Sequence, residues 1–109
     1  MAAPIALMSS PVRVTTATTQ DLRLSTDVLQ FNELQLLLQV FEGTSVGVSI
    51  ITGNQVDTED GWVTLDSFAS AVAPSSAMKT FTNPLRYIRW KVTSSGNATV
   101  LVSGVGRMV

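Results

Sequence analysis

The sequence predicts an all-β chain, an antiparallel β-sandwich of jelly-roll-like form with about seven or eight strands, and three observations carry that prediction. In the closing stretch LRYIRWKVTSSGNATVLVSGVGRMV, from Leu85 to Val109, the apolar Ile88, Trp90 and Val92 alternate with the charged Arg89 and Lys91. Two central runs keep the same period of two. Leu34, Leu36, Leu38 and Val40 alternate with Gln35, Leu37, Gln39 and Phe41, and Val46, Val48 and Ile50 alternate with Ser45, Gly47 and Ser49. Such alternation is the signature of strands with one buried face. Turn-forming clusters separate the runs at short intervals, as sandwiches and barrels require.

Taken in order, residues 1–20 form an extended arm or edge strand. Pro4 and Pro11 bracket Ile5-Ala6-Leu7-Met8, and the Thr-rich TTATT at Thr15 to Thr19 favours extended backbone. The segment either folds onto its own sheet or reaches another chain. A single domain then spans residues 21–109, with no internal repeat. Its first part, Asp21 to Phe31, holds no single period and reads as a strand interrupted at Ser25-Thr26-Asp27. Glu33 to Glu42 is rich in helix-forming Leu, Gln and Glu, yet its alternation and the Gly43-Thr44 that follows favour a β-hairpin with the run at Val46 to Ile50; a helix is the alternative.

Gly53-Asn54-Gln55 ends that strand, and Asp57-Thr58-Glu59-Asp60-Gly61 is a polar loop. Trp62 to Phe68 is a further strand. Ala69 to Pro84 reads as a loop broken by Pro74, with a short strand at Ala77 to Phe81 and an extended Asn83 before Pro84. The chain closes on a hairpin of Leu85–Thr93 and Ala98–Val105, bent at Ser94-Ser95-Gly96-Asn97.

Composition narrows function by exclusion. Of 109 residues, 45% are hydrophobic and only 14% charged, against roughly 25% charged in an average soluble domain, so Ser, Thr, Asn and Gln or a partner must cover much of the surface. There is no cysteine, hence no disulfide or thiol chemistry, and no histidine, the commonest general base and metal ligand. A net charge of −1 lacks the electrostatic footprint of a nucleic-acid binder. The N-terminus has neither the charged start nor the apolar run of a signal peptide, and no stretch is long enough to span a membrane as a helix. Neither a nucleic acid nor a membrane is expected as a partner.

Charge is unevenly placed. Between Leu24 and Met78 lie seven acidic residues and no basic one; from Lys79 onward lie five basic residues and no acidic one. Either the two groups neutralise each other across the sheets, or two oppositely charged patches face different neighbours.

Motifs for catalysis are missing: there is no GxSxG, no phosphate-binding glycine loop and no His or Cys ligand set. Asp57, Glu59, Asp60 and Asp66 form the one local carboxylate cluster, in or beside a loop where such groups are ordinarily solvated. The same loop offers hard oxygens for Ca²⁺, but without EF-hand spacing. The reading is therefore no enzyme, no cofactor and no metal site. A carbohydrate partner would need exposed rings, for which Tyr87 and Trp62 are the candidates, Trp90 sharing the apolar face of its strand.

Leu37, Phe41 and Ile51 are apolar on the face opposite the expected core, and a sheet that is apolar on both faces is covered on both. Together, GWVTLDSFA at Gly61 to Ala69 and LRYIRWKVTSSGNATVLVSGVGR at Leu85 to Arg107 resemble the small β-sandwich structural proteins of tailed-bacteriophage virions. The likeness covers the C-terminal half and rests on packing motifs. It implies a noncatalytic capsid decoration or cement protein on the outer surface of the virion, bound to the major capsid protein lattice and to copies of itself; a tail, neck or head-fibre protein, or a carbohydrate-binding module, is the alternative. The expected contacts are Ile5, Leu7 and Met8 from the arm, and Leu37, Phe41, Tyr87, Arg89 and Lys91 from the sheet faces.

Overall fold

Period-two alternation becomes ten strands and one single-turn 3₁₀ helix in the computed structural model, which describes residues 2–109. The strands are β1 (Ala2–Ala6), β2 (Val12–Val14), β3 (Thr18–Thr19), β4 (Thr26–Asp27), β5 (Glu33–Glu42), β6 (Val46–Gly53), β7 (Val63–Ser67), β8 (Ser75–Thr82), β9 (Tyr87–Ser94) and β10 (Ala98–Arg107). One sheet, A, runs β1-β10-β5-β8 with β2 also on β10; the other, B, runs β3-β9-β6-β7 with β4 also on β9. All pairings are antiparallel. Counting β1 with β2, and β3 with β4, as two interrupted strands reduces ten to eight, and the order is the interleaved one of a jelly roll.

The two expected hairpins are corrected. β5 and β6 lie in different sheets, and so do β9 and β10; each pair is joined by an arch that crosses the sandwich. Gly43, at φ 132°, turns the chain at the first crossing. The reason is in the packing: each of the four strands has an apolar face that is buried (Leu34, Leu36, Leu38, Val40; Val46, Val48, Ile50; Ile88, Trp90, Val92; Val100, Val102). Stacking those faces across one apolar layer removes more surface from water than laying the strands edge to edge. Of strands consecutive in the chain, only β6 and β7 pair with each other.

Other boundaries shift for local reasons. Asp21 caps the 3₁₀ turn Leu22–Leu24 by accepting from the Arg23 N–H, so the leucines expected in a strand lie in a turn, and strand pairing occurs at Thr26–Asp27 instead. Trp62 sits outside β7, β8 is longer than expected, and Asn83 takes a left-handed φ of 55° rather than an extended one. Asparagine tolerates that region better than most residues.

The N-terminal arm is an edge of its own fold. β1 and β2 pair with β10, and β3 with β9. Ile5, Leu7 and Met8 are each 5% exposed and belong to the central core. Their expected role as contacts reaching another chain is therefore corrected: three large apolar groups gain more from burial here than from remaining free. Met1, the first residue of the arm, lies outside the described residues.

Candidate functional site

The sandwich presents two outer faces, and their chemistry differs. On sheet A the residues opposite the core form rows across the strands: Ala6, Ser103, Leu37 and Met78 in one, Pro4, Val105, Gln35 and Thr80 in the next, and Leu101, Gln39 and Ser76 in a third. None is charged. Met78 is 74% exposed, Phe41 at the end of β5 is 51% exposed, and Val105 is also open to solvent. Charge is confined to the rims. Arg107 meets Glu33 at 2.7 Å at one end, and Arg13 meets Glu42 at 3.2 Å at the other, where Thr99 also donates to Glu42.

On sheet B the outer row of β9 is Tyr87, Arg89 and Lys91, and distant segments close over its middle. Arg89 is 2% exposed. Its Nε donates to the Gln20 carbonyl at 2.8 Å, and Nη1 and Nη2 donate to the two carboxylate oxygens of Glu59 at 3.0 and 3.2 Å. The guanidinium carbon also stands 4.7 Å from the Trp62 ring centre. Trp62 in turn lies on Gly53, where a Cβ would come within 2.7 Å of its ring, and its Nε1 donates to the carbonyls of Gln55 and Thr58. Gln20 completes the cover: its side-chain oxygen accepts from the Trp90 N–H and its amide donates to Leu24 O. A groove of about 640 Å³ between residues 19–23 and loop residues Val56, Asp57 and Glu59 reaches Arg89. Most of its charged groups pair with one another, Asp21 with Arg23 and Glu59 with Arg89.

Arg89 as a partner contact is thus corrected. A cation with its hydrogen bonds met inside the chain and its head out of water is a structural anchor. Lys91 is exposed and Tyr87 half-buried, with the Arg86 guanidinium 5.1 Å from its ring centre. Leu37 and Phe41 lie on the outer face of the other sheet, so the structure does not bring the expected sheet contacts together. Met78, Val105 and Leu101 were missed. The alternation of Met78 and Thr80 with Lys79 and Phe81 was the signal that could have placed Met78.

The charge asymmetry is mostly neutralised within the fold. Lys79 pairs with Asp66, Arg86 with Asp27, Arg89 with Glu59 and Arg107 with Glu33, each joining a C-terminal cation to a central anion. The carboxylate cluster is likewise divided, since Glu59 is committed to Arg89 and Asp66 to Lys79. Among the described residues, no group of three or more His, Cys, Asp or Glu is placed to hold a metal ion.

Three carboxyls are held below their ordinary values: Asp66 by the Ser67 N–H and then Lys79, Glu42 by Arg13 and then Thr99, and Asp21 by the Arg23 N–H and then its guanidinium. A depressed carboxyl stabilises the fold above its unfolded value, near 3.8 for Asp and 4.5 for Glu, and that contribution is lost as pH falls through the lower folded value. The melting midpoint is expected to fall progressively below pH 4.5, and Asp66→Asn to flatten the acid limb. Thermal melts across pH 2 to 7 check both, and an unchanged midpoint down to about pH 2 contradicts them.

Fold and surface together define a class: a jelly-roll β-sandwich with an uncharged outer sheet face and an internally satisfied polar anchor on the other side. No protein-family model and no curated protein matches the chain. Among solved structures it is similar to the SPBc2 prophage-derived protein YomS, at 16% identity and a TM-score of 0.56 over 97% of this chain and 94% of that one. It is also similar to a chain from the disulfide-linked pili of Bacillus endospore appendages, at 15% identity and a TM-score of 0.50 over 100% and 88%. A chain of infectious bursal disease virus, Gx strain, overlaps at a TM-score of 0.42 and 16% identity, over 96% and 30%. At these identities the likeness to the first two shows a shared fold.

Proposed function

We propose that the chain is a noncatalytic structural protein of a bacteriophage virion, and that it decorates the capsid by laying the outer face of sheet A on the major capsid protein lattice. One observation carries the reading: a face across four strands with no charge within it, large apolar groups on it, and ion pairs at its rims. Removing such a face from water requires no desolvation of ions, the main penalty for covering a protein surface. The jelly roll shared with a prophage-derived protein supports the setting, and the resemblance of the Gly61–Ala69 and Leu85–Arg107 stretches to phage virion proteins supports the role. A specific contact buries about 800 Å² on each partner, and many copies on one lattice bind more tightly than a single copy does. The aromatic pair carries no second reading as a sugar platform, because the Trp62 ring is occupied by Arg89 and Gly53.

Two steps test the proposal. The chain is expected in particles purified from the organism that encodes it, at a fixed ratio to the major capsid protein; its absence from them overturns the reading. The double variant Leu37→Asp/Val105→Asp, which places charge on the outer face and leaves the core intact, is expected to lower its recovery with particles about tenfold or more. Its melting midpoint should stay near that of the parent chain.

A further inference from the structure

We infer that the edge strand β8 pairs antiparallel with β8 of a second copy, giving a two-fold dimer in which sheet A runs continuously through both chains with Met78 opposite its own counterpart. This rests on the edges of the sheets and stands whether or not the protein binds a capsid.

An edge strand carries a row of N–H and C=O groups with no partner in its own sheet, and proteins blunt such rows with breaks, prolines, bulges or charge. Three of the four edges here are blunted. The β1–β2 edge contains Pro4 and is interrupted before Val12; the β3–β4 edge is two residues at a time, split by the 3₁₀ turn; β7 is five residues long and faces a register shift at Ile50/Ile51. β8 is different. It runs eight residues, SSAMKTFT, with neither proline nor glycine. Its single charge, Lys79, does not guard the edge: the ammonium crosses the mouth of the sandwich to the Ser67 carbonyl at 2.8 Å and the Asp66 carboxylate at 3.3 Å.

Strand overlap and side-chain facing select the register. In a continuous sheet about a two-fold axis, outer-face residues must meet outer-face residues. The eight-residue strand overlaps its copy most fully with the dyad at Met78 or Lys79, and a dyad at Lys79 would oppose two inward-facing side chains that each already reach Asp66 and Ser67 of their own chain. Moving the dyad one residue to Met78 places Lys79 opposite Ala77, Ser76 opposite Thr80, and the two exposed Met78 side chains together. The row Ala6–Ser103–Leu37–Met78 then continues directly into the same row of the second copy. The dimer so formed packs the most exposed large apolar group of that face against its own counterpart and doubles the width of the face.

The full chain is expected to sediment as a dimer of about twice 11.6 kDa at micromolar concentration. Because the sequence has no cysteine, Met78→Cys introduces one thiol at the dyad, where directly opposed Cβ atoms stand about 5 Å apart. It is expected to oxidise readily to a disulfide-linked dimer, while Leu37→Cys, one strand inward, does not. Met78→Lys is expected to give a folded monomer, and Leu37→Lys to remain dimeric. A monomeric parent chain, equal cross-linking at both cysteine positions, or a dimer that survives Met78→Lys overturns the inference. Dissociation by Leu37→Lys alone would assign self-association to stacked sheet faces instead. A monomer that still binds particles would leave the capsid reading standing.

Discussion

Arg89→Ala is expected to destabilise the protein by about 3 kcal/mol, whereas Glu59→Ala costs about 1 kcal/mol or less. The two partners share one bidentate ion pair, yet their surroundings are unequal. The Arg89 side chain is 3% exposed and Glu59 is 68% exposed. Removing the arginine leaves the Gln20 carbonyl without its donor and the Trp62 ring without the cation packed on it, and opens a gap beneath both. Removing the glutamate leaves a cation that solvent reaches from the open side, and water replaces much of the lost pairing. Arg89→Lys keeps the charge but not the planar fork that serves Gln20 and both carboxylate oxygens at once, and is expected to recover less than half of the loss. Chemical denaturation of the three variants measures the ordering. Equal effects for Arg89→Ala and Glu59→Ala would mean that the pair, and not the buried anchor, holds segment 20 and loop 55–62 on sheet B.

Phe81→Ala is expected to cost about 4 kcal/mol and to lower the melting midpoint by some 15 °C or more. Phe81 is 1% exposed on the inner side of β8, opposite the fully buried Leu34 of β5. Its ring meets Phe68 edge to face, with centroids 5.4 Å apart and planes at 65°. Phe68 follows β7 directly, so this pair joins the two edge strands beneath the Lys79–Asp66 bridge. Truncation leaves a cavity at the open side of the sandwich, where no further strand can move in to fill it. Phe81→Leu retains most of the volume and is expected to cost less than half as much. Were Phe81→Ala to cost under about 1 kcal/mol, the mouth of the sandwich would be shown to collapse around the gap.

Strand existence and facing were largely legible from alternation. β5, β6, β9 and β10 lie within two residues of the expected limits except where β6 runs on to Gly53, Trp90 is in the core, and Leu37 and Phe41 point outward as read. The candidate face was half legible. Leu37 and Phe41 stand out because they break an apolar–polar rhythm, whereas Met78 lies in the expected short strand at Ala77 to Phe81, which is too short for its alternation to mark an outer face. Arg89 was placed on the correct face and given the wrong environment. The groups that cover it, Gln20 and Glu59, lie 69 and 30 residues away along the chain, and no local pattern marks them.

By itself the sequence determined that the chain is all β, which side of each long strand is apolar, where the chain must bend, and that histidine and thiol chemistry are excluded. Only the tertiary structure decided which strands become neighbours. Alternation specifies one buried face per strand, but a hairpin and an arch both satisfy it. Ser94-Ser95-Gly96-Asn97 suits a bend within a sheet as well as a crossing between sheets. The crossing prevails because strands with complementary apolar faces stack across the core, and that gain is a property of all the strands together. The same non-local packing folded the N-terminal arm into the core, sealed Arg89 from solvent, and left β8 at the edge of sheet A without a neighbour on its outer side in the chain.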